Sequence, residues 1–295
     1  MALRGMNFPL ALVANEAIAT RVWKKLGLTQ DEIDEFYTAP SLLPWQRMGN
    51  VNNLGGELLT EEWHKGQIAL QHNILNRMKE LGMNPILPAF AGFVPKDINR
   101  LYPKNKLLQV NWGGFPKKYQ AYLLNPKTPL FDKIGKLFIE EWEKEFGKGK
   151  YYLADSFNEM DLPKTNQPVT ELLAEYGSSI YKSIKSGNPD AVWVVQGWMF
   201  TYQRSIWNKE TVNSLFMSVA TKFNTELDAS GLNCPLPILR CKKAMNGMEA
   251  GEVIKVIATD PGAVKDFEAY CNQTGHELVS SGEEDGKFVF LIKKN

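Results

Sequence analysis

Two short stretches carry residue types that could do chemistry. In the first, Cys234-Pro235-Leu236-Pro237 follows Leu227-Asp-Ala-Ser-Gly-Leu-Asn233. A proline at the first helical position places Cys234 at or near the N-cap, where free backbone N–H groups and the helix dipole favour an anion. A thiol there is expected to ionise more readily than a free cysteine, and the thiolate is the nucleophilic form. Gly231 lets the chain bend tightly ahead of the helix. The expectation is a partly exposed, activated cysteine, set against a small buried hydrophobe that merely caps a helix. In the second stretch, Tyr151-Tyr-Leu-Ala-Asp-Ser-Phe-Asn158-Glu159-Met160 puts an amide and a carboxylate just past an apolar run of strand length. In parallel α/β structures that edge gathers catalytic groups. A carboxyl near aromatic walls there would have a raised pKa and could act as a general acid. Trp45, Trp112 and Trp198 fall in loops or at strand ends, where flat rings suit the apolar face of a sugar.

The elements that must position these residues differ between the two parts of the chain. In the first part, apolar runs at Phe8–Val13, Pro85–Phe90, Tyr151–Phe157 and Ala191–Gly197 predict buried strands. Helical patterns lie between them at Thr29–Tyr37, Thr60–Leu81, Pro129–Phe146 and Val169–Ser186. Thr29 is a cap with Glu32 three residues on. Strands alternating with helices predict a parallel α/β structure of four βα units, about half of an eight-stranded barrel. The second part predicts a strand at Phe223–Ala229, a helix at Pro235–Asn246, a strand at Glu252–Thr259 and a helix at Pro261–Thr274. Two strands, His276–Ser280 and Lys287–Ile292, complete a βαβαββ order, a two-layer α/β sandwich.

Composition supports the same division. All three cysteines lie after residue 230 and all eight tryptophans before residue 210, which predicts two domains, 1–216 and 217–295, with Met217 a candidate start of the second. An odd number of cysteines clustered in one small region fits reduced thiols in the cytoplasm rather than a disulfide framework. Cys241, seven residues after Cys234, is expected to pack in the core, as is Cys271, and His276 is expected to be structural. Arg240, Lys242 and Lys243 present charge to a partner or form a solvated helix face. A net charge of +1 gives no reason to expect nucleic acid or an anionic membrane as partner. No apolar run reaches membrane-spanning length. The Phe8–Val13 segment, with its Pro9, reads as a buried strand rather than a cleaved leader.

The residues around the cysteine, Leu227 to Lys243, together with Gly247-Met-Glu-Ala-Gly-Glu252, Asp260-Pro261 and Tyr270-Cys-Asn-Gln-Thr-Gly-His-Glu-Leu278, resemble the TusA/SirA family of sulfur carriers over about residues 223–294. The resemblance implies that Cys234 carries sulfur as a persulfide. A donor such as a cysteine desulfurase would supply it, an acceptor protein would take it, and no metal or organic cofactor is implied. Residues 2–216 resemble the α-N-acetylglucosaminidase family of retaining glycoside hydrolases. The matching stretches are Asn15-Glu-Ala-Ile18, Leu26-Gly-Leu-Thr-Gln30, Trp45-Gln-Arg-Met-Gly-Asn50, Pro85-Ile-Leu-Pro-Ala-Phe-Ala-Gly92, Asn111-Trp-Gly-Gly114, Asp155-Ser-Phe-Asn-Glu-Met160 and Gln196-Gly-Trp-Met-Phe200. By that resemblance Glu159 is the general acid/base, and Asn158, Trp45, Trp112 and Trp198 line a pocket for an N-acetylglucosamine-containing glycan. Retaining hydrolysis needs a second carboxylate about 5–5.5 Å away. The resemblance ends near residue 216, before the strand that supplies this nucleophile in the family, and Glu57, Asp155 and Glu16 have no motif support as substitutes. The implied segment is part of a (β/α)8 barrel without glycosidase activity. The alternatives are a hydrolase completed by another chain and a fusion whose parts share no function.

Overall fold

The computed structural model describes residues 4–55, 58–217, 223–284 and 286–295, and the chain divides into two compact units, residues 1–219 and 220–295. In chain order, unit 1 has helices α1 (Asn15–Leu26), α2 (Gln30–Asp34), α3 (Leu43–Arg47) and α4 (Glu61–Glu80), then strands β1 (Ile86–Pro88) and β2 (Phe93–Val94). Helix α5 (Ile98–Leu101), strands β3 (Leu107–Val110) and β4 (Ala121–Leu124), helix α6 (Pro129–Phe146) and strand β5 (Tyr151–Leu153) follow. Helix α7 (Val169–Gly187), strand β6 (Val192–Val194) and helices α8 (Trp198–Tyr202) and α9 (Lys209–Met217) complete the unit.

Strands β1, β5 and β6 form a parallel sheet in the order β1-β5-β6, with Leu87 opposite Tyr152 and Tyr152 opposite Trp193. The long amphipathic helices α6 and α7 bury Phe131, Ile134, Phe138, Trp142, Leu173, Tyr176 and Ile180 in a core shared with Leu87 and Tyr152. Their predicted spans stand, α6 residue for residue. The caps follow the sequence as well, since Thr29 and Glu32 close a reciprocal capping box on α2 and Thr60 caps α4.

Two expectations need correction. The predicted strand Phe8–Val13 is reduced to a single parallel bridge between Leu10 and Ile86, with Phe8 and Leu10 exposed. Pro9 has no N–H to give a ladder, and the chain leaves the sheet at Ala14, whose φ is 65°, to start α1. A second sheet was not anticipated: β2, β4 and β3 pair antiparallel in that order between β1 and α6. Strands of two to four residues carry too little alternation to be read from sequence.

Unit 2 runs β7 (Thr225–Ala229), α10 (Leu236–Asn246), β8 (Val253–Ala258), α11 (Ala263–Thr274), β9 (Glu277–Glu284) and β10 (Lys287–Lys293), the predicted βαβαββ order. The sheet order is β7-β8-β10-β9, with β7 parallel to β8 and the other pairs antiparallel. Cys241 and Met245 of α10 and Phe267 and Cys271 of α11 pack with Ile254, Val256, Phe290 and Ile292 of the sheet.

Candidate functional site

The chemistry-bearing loops of unit 1 lie after the strands. Ser156, three residues past β5, donates to the Ala91 carbonyl beyond β1 at 2.7 Å, and this fixes the start of the Asp155–Met160 loop. Asn158 is 3 % exposed. Its carbonyl accepts a 2.7 Å bond from Asn50 Nδ2, and its own Nδ2 lies 3.1 Å from Met48 Sδ. The Asn50 N–H returns to the Trp45 carbonyl at 2.9 Å, so the turn after α3 ties Trp45 to the Asn158 loop. Between Met48 and Asn50, Gly49 has φ 78°, and a Cβ there would sit 1.9 Å from the Phe93 ring, so only glycine allows this approach. On the far side, Asp161 N–H donates to the Asn111 carbonyl at 3.0 Å and Asn111 Nδ2 to Asp161 Oδ2 at 3.1 Å.

The three predicted tryptophans fall in two aromatic stacks. Trp45 stacks on Trp112, with centroids 5.0 Å apart and planes at 30°, and Trp112 stacks in turn on Phe115. Trp198 opens α8 and stacks on Tyr202, one turn later, at 5.5 Å. Its indole N–H donates to the Glu159 carboxylate. Glu159 itself has φ 55°, a left-handed conformation uncommon for a residue with a side chain. Predicted residues are therefore brought together in two ways: Trp45 with Trp112, and Trp198 with Glu159.

Of the carboxylates considered as a second catalytic group, Glu57 lies outside the described residues. Glu16 is 2 % exposed and holds Arg47 through two bonds of 2.7 Å. Burial opposes the charge on Arg47, but the Glu16 bonds outweigh it and the guanidinium pKa is raised. Asp155 lines a cavity of about 290 Å³ with Arg47, Met48, Asn15 and Gln196, at the C-terminal edge of β1 and β5. Burial pushes the Asp155 carboxyl up to about 7, against a 3.0 Å bond from the Gln196 N–H. Sequence reasoning gave Asp155 no role of its own. The signal was its place two residues beyond a buried strand.

In unit 2, Cys234 is an exposed free thiol, whereas Cys241 and Cys271 are buried, as expected. Burial also raises the thiol pKa of both buried cysteines. Helix α10 begins one residue later than expected: Pro235 is the N-cap, Cys234 precedes it, and the peptide between them is cis. The expected acidic thiol is corrected as well. The Cys234 pKa is raised, first by a hydrogen bond to the Asp266 carboxylate, then by desolvation and by the charges of Asp266 and Asp260. Negative charge on two nearby carboxylates disfavours the thiolate. Asp266 was missed in the sequence, although it is the acidic residue in the first turn of α11. His276 accepts the Asn295 N–H on a ring nitrogen at 3.3 Å.

The comparisons with known proteins fall on the same two units. The family described as alpha-N-acetylglucosaminidase (NAGLU) tim-barrel domain matches residues 1–231, and sulfurtransferase TusA matches residues 225–294. The human alpha-N-acetylglucosaminidase is 42 % identical over 221 residues, 74 % of this chain and 29 % of the human protein. The sulfur carrier protein TusA of Allochromatium vinosum is 68 % identical over 73 residues, 25 % of this chain and 96 % of that protein. Among solved structures, a family 89 glycoside hydrolase from Clostridium perfringens in complex with its substrate GlcNAc-α-1,4-galactose aligns with TM-score 0.62 at 23 % identity, covering 76 % of this chain and 24 % of the other. The same hydrolase with 2-acetamido-1,2-dideoxynojirmycin aligns with TM-score 0.61. These alignments show the fold of the first unit, TIM-barrel-like over less than a third of the length of its relatives. Matched in this way along both of its parts, the chain belongs to the alpha-N-acetylglucosaminidase tim-barrel family through residues 1–231 and to the TusA sulfurtransferase family through residues 225–294.

Proposed function

We propose that this protein is a sulfur carrier whose Cys234 holds sulfur as a persulfide, and that its first part is a partial (β/α)8 barrel that does not hydrolyse glycosides. One observation carries the reading: of three free cysteines, Cys234 alone is exposed, in front of α10 in a Cys-Pro-Leu-Pro sequence. In loading, the Cys234 thiolate attacks the outer sulfur of a donor persulfide. A new S–S bond forms on Cys234, the donor S–S bond breaks, and the donor leaves as a thiolate, with no net oxidation. In unloading, an acceptor nucleophile takes the outer sulfur and Cys234 is the leaving thiolate. A cysteine desulfurase suits the donor role, and an acceptor protein or biosynthetic enzyme suits the other. Free thiols fit a reducing compartment such as the cytoplasm.

This reading divides the chain into residues 1–216 and 217–295, a two-layer sandwich in the second part, and the compact division near residue 219 supports a seam there. Inactivity of the first part rests on the second carboxylate. Glu16 is bound on both oxygens by Arg47, Asp155 is half-buried with a raised pKa and accepts the Gln196 N–H, and from Thr225 onward the chain folds as the sulfur-carrier unit. Among the described residues, Glu16 is taken up by Arg47 and Asp155 by the Gln196 N–H, and with Glu159 acting alone retaining hydrolysis has only half of its machinery. The stacked pairs Trp45–Trp112 and Trp198–Tyr202 favour a subsidiary role, holding an N-acetylglucosamine-containing glycan, with Asn158 and Glu159 beside it, without cleaving it.

Incubation with a cysteine desulfurase and cysteine, followed by mass spectrometry, is expected to find one added sulfur on Cys234 and none in Cys234→Ser. A folded protein that gains no sulfur would refute the carrier reading. Turnover of a chromogenic α-N-acetylglucosaminide, lost in Glu159→Gln, would establish the hydrolase instead.

A further inference from the structure

Sulfur transfer asks more of Cys234 than exposure. In loading, its thiolate attacks the outer sulfur of a donor persulfide, a new S–S bond forms as the old one breaks, and the electron pair of the broken bond leaves on the donor thiolate. The three sulfurs have to lie in line, so the main chain that carries Cys234 has to be held. That main chain is the loop between β7 and α10, and it is tied to the loop after β8. Strands β7 and β8 are parallel, with Ala229 opposite Ala258, so both loops leave the same edge of the sheet. Thr259 Oγ1 accepts the Gly231 N–H at 2.8 Å, and Asp260 Oδ2 accepts the Cys234 N–H at 2.7 Å. Asp260 is fixed in its turn: Oδ1 accepts the Gly262 N–H at 2.9 Å, and its carbonyl accepts the Ala263 N–H at 3.0 Å. A carboxylate bonded to the backbone two residues on has its direction set by that turn, which leaves the other oxygen for Cys234.

We propose that Asp260 is a positioning residue for sulfur transfer: its carboxylate pins the Cys234 main chain, while Thr259 holds the same loop at Gly231, so that the thiol and then the persulfide project from a fixed point. The inference rests on Cys234 being the persulfide carrier. The Cys234 N–H, engaged by Asp260, is withheld from the persulfide, whose outer sulfur stays free for the acceptor.

The test is the rate at which the full chain takes sulfur from a cysteine desulfurase and cysteine, read by mass spectrometry at rising concentrations of the carrier. Asp260→Ala removes the charge and the acceptor together. It is expected to lower the maximal rate about tenfold and to leave the half-saturating concentration nearly unchanged. Asp260→Asn removes the same charge but keeps an oxygen for the Cys234 N–H, and is expected to recover most of the rate. Losing a negative charge beside the thiol favours the thiolate and by itself would speed loading, so the difference between the two variants reads the hydrogen bond. Thr259→Val removes only the tie at Gly231. It is expected to slow loading less than Asp260→Ala, and it serves if circular dichroism shows that the Ala variant does not fold. Maximal rates equal to that of the unaltered chain in the folded variants would overturn the proposal, as would an Asn variant as slow as the Ala variant. A loss confined to the half-saturating concentration would overturn it too, because Asp260 would then act in docking. Sulfur capture by the unaltered protein is read separately. Its failure refutes the carrier, and capture with unmoved rates in the variants refutes only the role of Asp260.

Discussion

Asp155 is half-buried on the wall of the cavity, and desolvation there raises its pKa from 3.8 to about 7. The sign of the linkage follows. Below pH 3.8 both folded and unfolded chains hold the proton, and between 3.8 and 7 only the folded chain does. Stability therefore declines as pH rises through that window and is level above it. Asp155→Asn is expected to flatten this decline, measured by urea unfolding at pH 4, 5.5 and 7. An equal slope in the variant would show that Asp155 is better solvated than its burial implies. The Glu16–Arg47 pair is held by two hydrogen bonds, so each charge is satisfied by the other. Removing one partner leaves a buried charge, and Glu16→Gln is expected to cost about 3–5 kcal/mol by denaturant titration. A loss below about 1 kcal/mol would mean that Arg47 finds water in the adjacent cavity.

Helices α6 and α7 meet at small residues. A Cβ on Gly135 would lie 2.4 Å from Ser183 Cβ, and one on Gly187 would lie 2.6 Å from Ile139 Cβ. Gly135→Ala overpacks this contact. It is expected to cost about 1–3 kcal/mol, read as a lower melting temperature, despite the better helix propensity of alanine. An unchanged or higher melting temperature would show that the helices can separate without loss. At this scale much was legible in the sequence. The ends of α6 follow from Pro129 and Gly147, and α2 from Thr29 with Glu32. The antiparallel sheet of β2, β3 and β4 was not legible, because its short strands are defined by pairing with one another rather than by any period of their own.

Each unit of the whole molecule owns its core. The buried cluster of the first ends at Leu215, and that of the second runs from Ala229 to Ile292. Residues 220–295 expressed alone are therefore expected to fold and to accept sulfur at the rate of the full chain, as measured by circular dichroism and mass spectrometry. A fragment that fails to fold would show that the second core depends on the first unit. Limited proteolysis is expected to leave the same fragment, and cleavage that spares this seam would argue against separate units.

The sequence by itself determined the local features: the Cys-Pro-Leu-Pro start of α10, the Asn158-Glu159 pair after β5, and the helices whose caps and apolar faces repeat at short range. Tertiary structure alone decided that Asp260, from the loop before α11, holds the Cys234 N–H, that Trp198 pairs with Glu159, and that Asp155 is half-buried beside Gln196. Capping and periodicity act over a few residues and can be read along the chain. The protonation of a thiol or a carboxyl depends on groups that only packing brings near, and no spacing in the sequence records them.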